Sequence, residues 1–278
     1  MNQRGTKRIK RGTKRTMNDR LRPVGVMDSG VGGISVLKKA VEIMPYEDFI
    51  YYGDSANAPY GTRTTEDIKD HTFLVAEKLR AMGIKALCVA CNTATAAAIK
   101  DLRAAYRDMP VIGIEPAVKP AALSTRGGTI IVMATPMTIR QNKFNDLLRT
   151  YDKDARIIPL PCEGLMEMVE NWSDDKAPLM EYLDMKLKPV LRDDTETIVL
   201  GCTHYPFIKR ELREYLGDRD IALIDGSEGT ARQIRRRLIE EGLLNEEDRT
   251  GTVTILNSSD DPKMIDISRK LFDMEIQD

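Results

Sequence analysis

The amino-acid sequence predicts an α/β fold with two similar domains, whose mainly parallel sheets face each other across a pseudo-twofold cleft. Short apolar runs alternate with amphipathic stretches of helical period along the whole chain, which is typical of parallel sheets covered by helices. Two of these runs end abruptly in a cysteine followed by hydrogen-bonding residues, at Cys91-Asn92-Thr93 and Cys202-Thr203-His204. An approximate internal repeat relates the two halves.

In this repeat, an earlier apolar run precedes each cysteine run. Residues 24–27 lead into Asp28, and residues 129–133 lead into Thr135. From Asp28 to the next cysteine motif is 63 positions, and from Thr135 to its counterpart is 67, which indicates two copies of one α/β unit. Chance similarity of two α/β halves is the alternative. In parallel sheets ligands collect at the carboxyl ends of the strands, so a pseudo-twofold would place both cysteines in one cleft.

The first half of the chain contains four predicted strands, at residues 24–27, 49–52, 86–90 and 110–114. A helix after the first strand has apolar residues at i, i+3, i+7 and i+10, starting from Ile34. A second helix is capped by Thr64 and ended by Gly83, and a third covers residues 94–106. The long turn-rich loop 53–63 is expected at the surface or along a cleft.

The second half contains predicted strands near residues 129–133, 156–160, 197–201, 221–224 and 252–256, with a helix at 229–241. Two prolines in segment 115–120 suit a crossing between the halves. Because the first half is short of elements, the C-terminal piece is expected to return to it. The predicted organisation is a disordered basic tail at 1–22, a first domain at 23–116 plus 226–278, and a second domain at 117–225.

The bulk composition excludes several classes of protein. The 278 residues are 42% hydrophobic and 31% charged, with a formal net charge of −1, which argues against a nucleic-acid binder. No apolar run approaches the ~18 residues of a membrane span. Four cysteines are too few for a disulfide scaffold of this size, so we expect a cytoplasmic protein.

The first 22 residues differ sharply from the rest, with nine lysines or arginines against Asp19 alone. The absence of an apolar stretch rules out a signal peptide, and the composition indicates disorder. Such a tail either has no function, with Met17 as the usual start, or contacts an anionic partner.

Four uses of the cysteines compete. Zinc is the weakest, since Cys88-x-x-Cys91 has no second pair and the chain has only two histidines. A redox or ligand-binding protein using Cys88 and Cys91 is a stronger alternative, although Cys88 lies inside the apolar run. A lone nucleophile, Cys202 with His204 as its base, leaves Cys91 without a role. Two cysteines acting as acid and base use every feature.

Inverting a carbon that carries one acidic hydrogen requires a base on one face and an acid on the other. A pair of cysteines, one thiolate and one thiol, meets this need near neutral pH. Polar residues at the strand ends would bind the substrate's carboxylate and amino groups. No cofactor motif is present: Ser35 replaces the third glycine of G-x-G-x-x-G, and no P-loop lysine follows.

Four motifs together resemble the glutamate racemases, cofactor-independent enzymes that make D-glutamate for bacterial peptidoglycan. They stand in the family's order from about residue 22 to near the C-terminus: Asp28-Ser-Gly-Val-Gly-Gly33, Tyr60-Gly-Thr-Arg63, Cys91-Asn-Thr93 and Gly201-Cys-Thr-His-Tyr-Pro206. The resemblance implies two α/β domains with the active site between them. It also implies no cofactor or metal, no membrane or nucleic-acid partner, and we expect a homodimer. Racemisation of a related amino acid such as aspartate is an alternative.

The resemblance also assigns residues. It makes Cys91 the base towards D-glutamate and Cys202 the base towards L-glutamate, with Asp28 and His204 assisting them. Substrate contacts are expected from Asp28, Ser29, Tyr60, Gly61, Asn92, Thr93, Thr203 and His204. Thr135 and Thr138 match a looser Thr-x-x-Thr element. Segment 161–170 departs from the family pattern after Cys162, although Glu170 matches the usual glutamate.

Overall fold

A computed structural model describes residues 16–140, 142–151, 155–171 and 175–276. Within them lie two parallel sheets with helices between the strands, as predicted. The strands are β1 (Val24–Asp28), β2 (Phe49–Gly53), β3 (Ala86–Val89), β4 (Val111–Gly113), β5 (Thr129–Ala134), β6 (Arg156–Pro161), β7 (Thr195–Leu200), β8 (Ala222–Asp225) and β9 (Val253–Asn257).

Each pair of consecutive strands is connected through at least one α-helix. They are α1 (Met17–Arg20), α2 (Ile34–Ile43), α3 (Thr65–Ala81), α4 (Asn92–Ala105), α5 (Val118–Ser124), α6 (Pro136–Arg140), α7 (Asn142–Tyr151), α8 (Leu165–Glu170), α9 (Ala177–Leu187), α10 (Lys209–Leu216), α11 (Ser227–Glu240) and α12 (Pro262–Asp273). Short 3₁₀ turns lie at Ser55–Asn57, Tyr60–Thr62 and Tyr205–Ile208.

The two sheets repeat one topology. The first has the strand order β4-β3-β1-β2-β9, and the second, read from its other edge, has the order β8-β7-β5-β6. All neighbouring strands are parallel. Strands β1 and β3 of the first sheet therefore correspond to β5 and β7 of the second, which confirms the predicted fold of two similar α/β units.

The C-terminal part of the chain adds the fifth strand of the first sheet. Strand β9 pairs with β2, with Phe49 opposite Val253 and Gly53 opposite Asn257. Helices α11 and α12 both pack against α2, while β8 belongs to the second sheet. The exact domain boundaries, 23–116 plus 226–278 and 117–225, stay a prediction.

Part of the predicted N-terminal tail is ordered. Residues 1–15 lie outside the described residues, but residues 16–22 are ordered, include α1 (Met17–Arg20) and contact the body of the protein, which corrects the predicted extent of disorder. Arg20 Nε donates to the Gly242 carbonyl at 3.2 Å and Arg22 Nε to the Gly83 carbonyl at 2.6 Å. Two of the nine positively charged residues that suggested a disordered tail thus bind backbone carbonyls of the protein body.

The core extends across the gap between the sheets. Every residue of β1 and β5 is buried, because the side chains on both faces of each strand pack into apolar clusters. One apolar cluster includes Val31 of the first half with Met133 and Phe207 of the second. The two halves are thus joined by shared packing next to the strand ends. Among the described helices, none is both long and apolar enough to cross a bilayer.

Candidate active site

A cavity of about 380 Å³ lies where the carboxyl ends of the strands of both halves meet. Nine of the ten residues predicted to form the site line it: Ser29, Tyr60, Gly61, Cys91, Asn92, Thr93, Cys202, Thr203 and His204. The tenth, Asp28, is fully buried behind this wall. A more open cavity of about 550 Å³ lies at the other end of α4, lined by arginines such as Arg103 and Arg107, away from both thiols.

Cys91 enters the cavity from the first half, directly after β3. It is the N-cap of α4, and its Sγ accepts a hydrogen bond from the Ala94 N–H at 3.4 Å. The Ser29 hydroxyl lies 3.4 Å from the same sulfur. Burial, followed by the charge of Asp28, raises the pKa of Cys91 to about 12 against the lowering effect of these two contacts. This pKa favours the thiol form of Cys91 at neutral pH.

Cys202 enters from the second half, after β7, and its neighbour is a histidine. The Cys202 Sγ lies 3.8 Å from His204 Nδ1, and His204 Nε2 lies 3.0 Å from Glu170 Oε1. Burial alone lowers the pKa of His204, but Cys202 and Glu170 outweigh it and hold this pKa well above its usual value. The raised pKa favours the imidazolium form of His204, which lies between the Glu170 carboxylate and the Cys202 sulfur.

Asp28 ties the first half to the second beside the thiols. Its Oδ2 accepts a hydrogen bond from the Thr203 hydroxyl at 3.2 Å, and its Oδ1 accepts one from the Gly30 N–H at 2.9 Å. Burial raises the pKa of Asp28, although His204 and both hydrogen bonds oppose the shift. Asp28 acts on Cys91 through its charge. Through its bond with the Thr203 hydroxyl, it also links the two halves of the protein.

The glycine-rich loop after β1 allows this close approach. A Cβ on Gly32 would lie 2.6 Å from His204 Cε1 and 2.7 Å from Thr203 Oγ1, closer than real Cβ atoms come to other atoms. The loop backbone therefore passes directly against the Cys202 segment. Such an approach requires glycine. The glycine-rich motif, which does not match a nucleotide-binding fingerprint, therefore serves to let the two segments pack closely.

The remaining cavity wall carries polar groups suited to a small zwitterion. Asn92 is 9% exposed, and its Oδ1 is buried with no hydrogen-bond partner among the described residues. Buried acceptors are normally paired, so this oxygen lacks a partner that such an atom usually has. The Thr135 and Thr138 hydroxyls lie 2.9 Å apart at the start of α6, and both line the cavity.

The other two cysteines have different positions. Cys88 is fully buried in β3, where burial and then the charge of Asp28 raise its pKa to about 12. Such a thiol is a poor redox group. Cys162 lines the cavity, with its Sγ 3.4 Å from the Leu160 carbonyl. In the described ranges the four cysteines are all free, and the histidines, cysteines and carboxylates there form no cluster that could hold a metal ion.

Sequence reasoning missed several residues around the cavity. Arg140, Glu163, Met166 and Glu167 also line it; the last three lie in segment 161–170, which was noted only for its departure from the family pattern, and Arg140 has no motif to mark it. Ser35 was noticed only because it breaks a glycine pattern. A fully buried serine in the first turn of a helix is the signal that could have singled it out, since such hydroxyls need partners.

The chain is similar in sequence to known racemases. The Asp/Glu/Hydantoin racemase family matches residues 24–234. The glutamate racemase of Clostridium acetobutylicum is 52% identical over 252 residues, which cover 91% of this chain and 98% of that protein. The glutamate racemase of Clostridium novyi is 51% identical and covers 90% of this chain and 96% of its own length.

Solved structures agree in fold. A glutamate racemase of Bacillus anthracis superimposes with a TM-score of 0.82 at 32% identity, covering 93% of this chain and 96% of its own. The enzyme of Francisella tularensis, solved in complex with D-glutamate, gives a TM-score of 0.79 at 28% identity with the same coverage. On this sequence match, supported by the shared fold, the chain belongs to the Asp/Glu/Hydantoin racemase family.

Proposed function

We propose that the protein is a glutamate racemase that interconverts L- and D-glutamate by proton transfer between two cysteines. The observation that carries the proposal is the presence of Cys91 and Cys202 at equivalent strand ends of the two halves, in the wall of one cavity. Relatives at about half identity named glutamate racemase support the substrate.

The reaction needs one deprotonated and one protonated sulfur. With L-glutamate bound, the Cys202 thiolate takes the α-hydrogen as a proton, and the electron pair of the broken C–H bond passes into the α-carboxylate. Cys91 then gives its thiol proton to the opposite face of the carbon. The products are D-glutamate, a Cys202 thiol and a Cys91 thiolate, and the reverse reaction starts from that state.

The charges around the two sulfurs suit this division of roles. The His204 imidazolium stabilises negative charge on Cys202, whereas burial keeps the proton on Cys91. The ammonium group of the substrate would add positive charge to the cavity, which favours the Cys91 thiolate formed at the end of the turnover.

Three further parts of the proposal rest on the family resemblance. These are the supply of D-glutamate for peptidoglycan, a cytoplasmic location and a homodimeric state. Sedimentation equilibrium of the full chain tests the last. Aspartate is one methylene shorter than glutamate, and a single methylene discriminates by about 10–200-fold in a pocket, so parallel assays with both amino acids test the substrate.

The direct test uses L-glutamate in D₂O with no added cofactor. We expect the optical rotation to fall to zero while deuterium replaces the α-hydrogen, because each thiol exchanges its proton with solvent between turnovers. The activity should survive dialysis against EDTA and hydroxylamine. Absence of racemisation by a folded sample, or its loss on this dialysis, would contradict the proposal.

Replacing Glu170 with glutamine is expected to shift the pH dependence. The substitution removes a carboxylate that raises the His204 pKa, so the imidazolium is lost at lower pH and the alkaline limb of the kcat/KM profile moves to lower pH. Charge-assisted hydrogen bonds contribute roughly 1.5–3 kcal/mol, so kcat/KM at neutral pH should fall about 10–100-fold. An unchanged profile measured between neutral and alkaline pH would contradict the role of Glu170.

A further inference from the structure

Ser35 joins the two halves of the protein directly beside the cavity. It lies in the first turn of α2 and is fully buried. Its hydroxyl lies 2.9 Å from the Thr203 carbonyl in the other half and 3.0 Å from the Gly32 carbonyl in its own loop. A hydroxyl has one hydrogen to donate, so the two carbonyls are alternative or shared acceptors.

The Gly32 carbonyl has another donor, because the backbone N–H of Ser35 also reaches it at 3.0 Å. The Thr203 carbonyl differs from the Gly32 carbonyl in the backbone donors that lie nearby. Three residues further along the chain, where a turn usually supplies a donor, stands Pro206, which has no N–H. The next N–H, of Phe207, donates to the His204 carbonyl at 3.2 Å. The Ser35 hydroxyl therefore supplies the hydrogen-bond donor that the backbone at residue 206, a proline, cannot offer to the Thr203 carbonyl.

From this arrangement we infer that Ser35 is a positioning residue for the Cys202 side of the proton-transfer pair. Its bond fixes the peptide after Thr203, and that peptide carries His204, whose ring faces the sulfur. The Thr203 hydroxyl bond to Asp28 is the second tie across the same gap. The inference rests on the proposed two-cysteine function and adds a residue that touches neither substrate nor sulfur.

The effect should be one-sided. Cys91 is held by the Ser29 hydroxyl and the Ala94 N–H, both in the first half and neither dependent on Ser35. Loss of the Ser35 hydroxyl therefore displaces Cys202 and His204 and leaves Cys91 in place. A merely structural role would weaken both sides equally.

The experiment measures α-hydrogen exchange in D₂O with single-cysteine backgrounds. Cys91→Ser retains Cys202 and reports exchange of L-glutamate, whereas Cys202→Ser retains Cys91 and reports exchange of D-glutamate. Adding Ser35→Ala should slow the first exchange about 10–100-fold, the cost of a small misplacement of a reacting group. The second exchange should stay within about twofold. Thermal unfolding of each double variant checks that the fold is retained.

Ser268→Ala in both backgrounds is the matched control. Ser268 is also fully buried in a helix, but its hydroxyl donates to Met264 within α12. It should change neither exchange. If Ser35→Ala does not fold, Ser35→Cys keeps a side chain of the same shape with a larger atom and a weaker donor, and it should give a one-sided loss of the same kind.

Each result decides the inference. Equal loss of both exchanges, or no loss in either, would overturn it. If Cys91→Ser exchanges no L-glutamate and Cys202→Ser no D-glutamate while Ser35 is intact, the two-cysteine function itself fails, and that failure is visible before Ser35 is changed.

Discussion

Replacing either Cys91 or Cys202 with serine is expected to abolish racemisation almost completely. Each substitution removes the acid or base on one face of the α-carbon, and the sulfur on the other side cannot reach across the substrate. A general acid or base contributes about 10²–10⁴-fold, so kcat/KM should fall by at least that factor. Because the two enantiomers have equal free energies, the fall must be the same in both directions.

Exchange without inversion separates the two cysteines. Cys202→Ser should still exchange the α-hydrogen of D-glutamate through Cys91, and Cys91→Ser should exchange that of L-glutamate through Cys202. Cys88→Ser is the control, because that buried thiol lies in β3 and does not line the cavity. Near-normal racemisation by Cys91→Ser or Cys202→Ser would favour a one-base mechanism. Equal damage from Cys88→Ser would instead favour the redox or ligand-binding alternative.

Gly32→Ala is expected to have the second-largest effect. The new methyl would lie 2.6 Å from His204 Cε1 and 2.7 Å from Thr203 Oγ1, so the ring or the loop must move. The ring is held between Glu170 and Cys202, and moving it breaks its contact with the sulfur. We expect kcat to fall about 10²-fold, as for a reacting group displaced by 1 Å.

The same substitution should also cost some stability. Overpacking a buried site typically costs about 1–3 kcal/mol, which a urea titration would detect. Gly229→Ala is the matched control, because a Cβ at this exposed helical position meets nothing within 4 Å. Its activity should equal that of the wild type, and its stability should be equal or slightly higher. Wild-type turnover by Gly32→Ala would show that the loop does not constrain His204.

Much of the fold could be predicted because parallel strands leave clear marks in sequence. The apolar run before Cys91 and its echo before Cys202 are buried on both faces, and strands of this kind show continuous rather than alternating hydrophobicity. The similar spacings of 63 positions from Asp28 and 67 from Thr135 to the next cysteine motif then indicated the repeat that the strand order confirms.

Other features could not be predicted because they depend on contacts distant in sequence. Helix α4 begins at Asn92, two residues before its predicted start, since the Cys91 sulfur acts as the cap, and cysteine is not among the usual capping residues. The inferred role of Ser35 depends on a hydrogen bond to the Thr203 carbonyl, which lies 168 positions away in the sequence. The ordered conformation of residues 16–22 likewise depends on hydrogen bonds to the carbonyls of Gly83 and Gly242.

The position of β9 has a consequence for biosynthesis. Strands β5 to β8 lie within residues 129–225, so the ribosome can release them as one continuous unit. The edge of β2 instead waits for a partner about two hundred positions later, from Phe49 to Val253. Until the last part of the chain emerges, the nascent first sheet exposes an unpaired strand of the kind that recruits other chains. Full-length translation is thus a condition of solubility for the first half, and shortened products that end before β9 are the ones prone to aggregate.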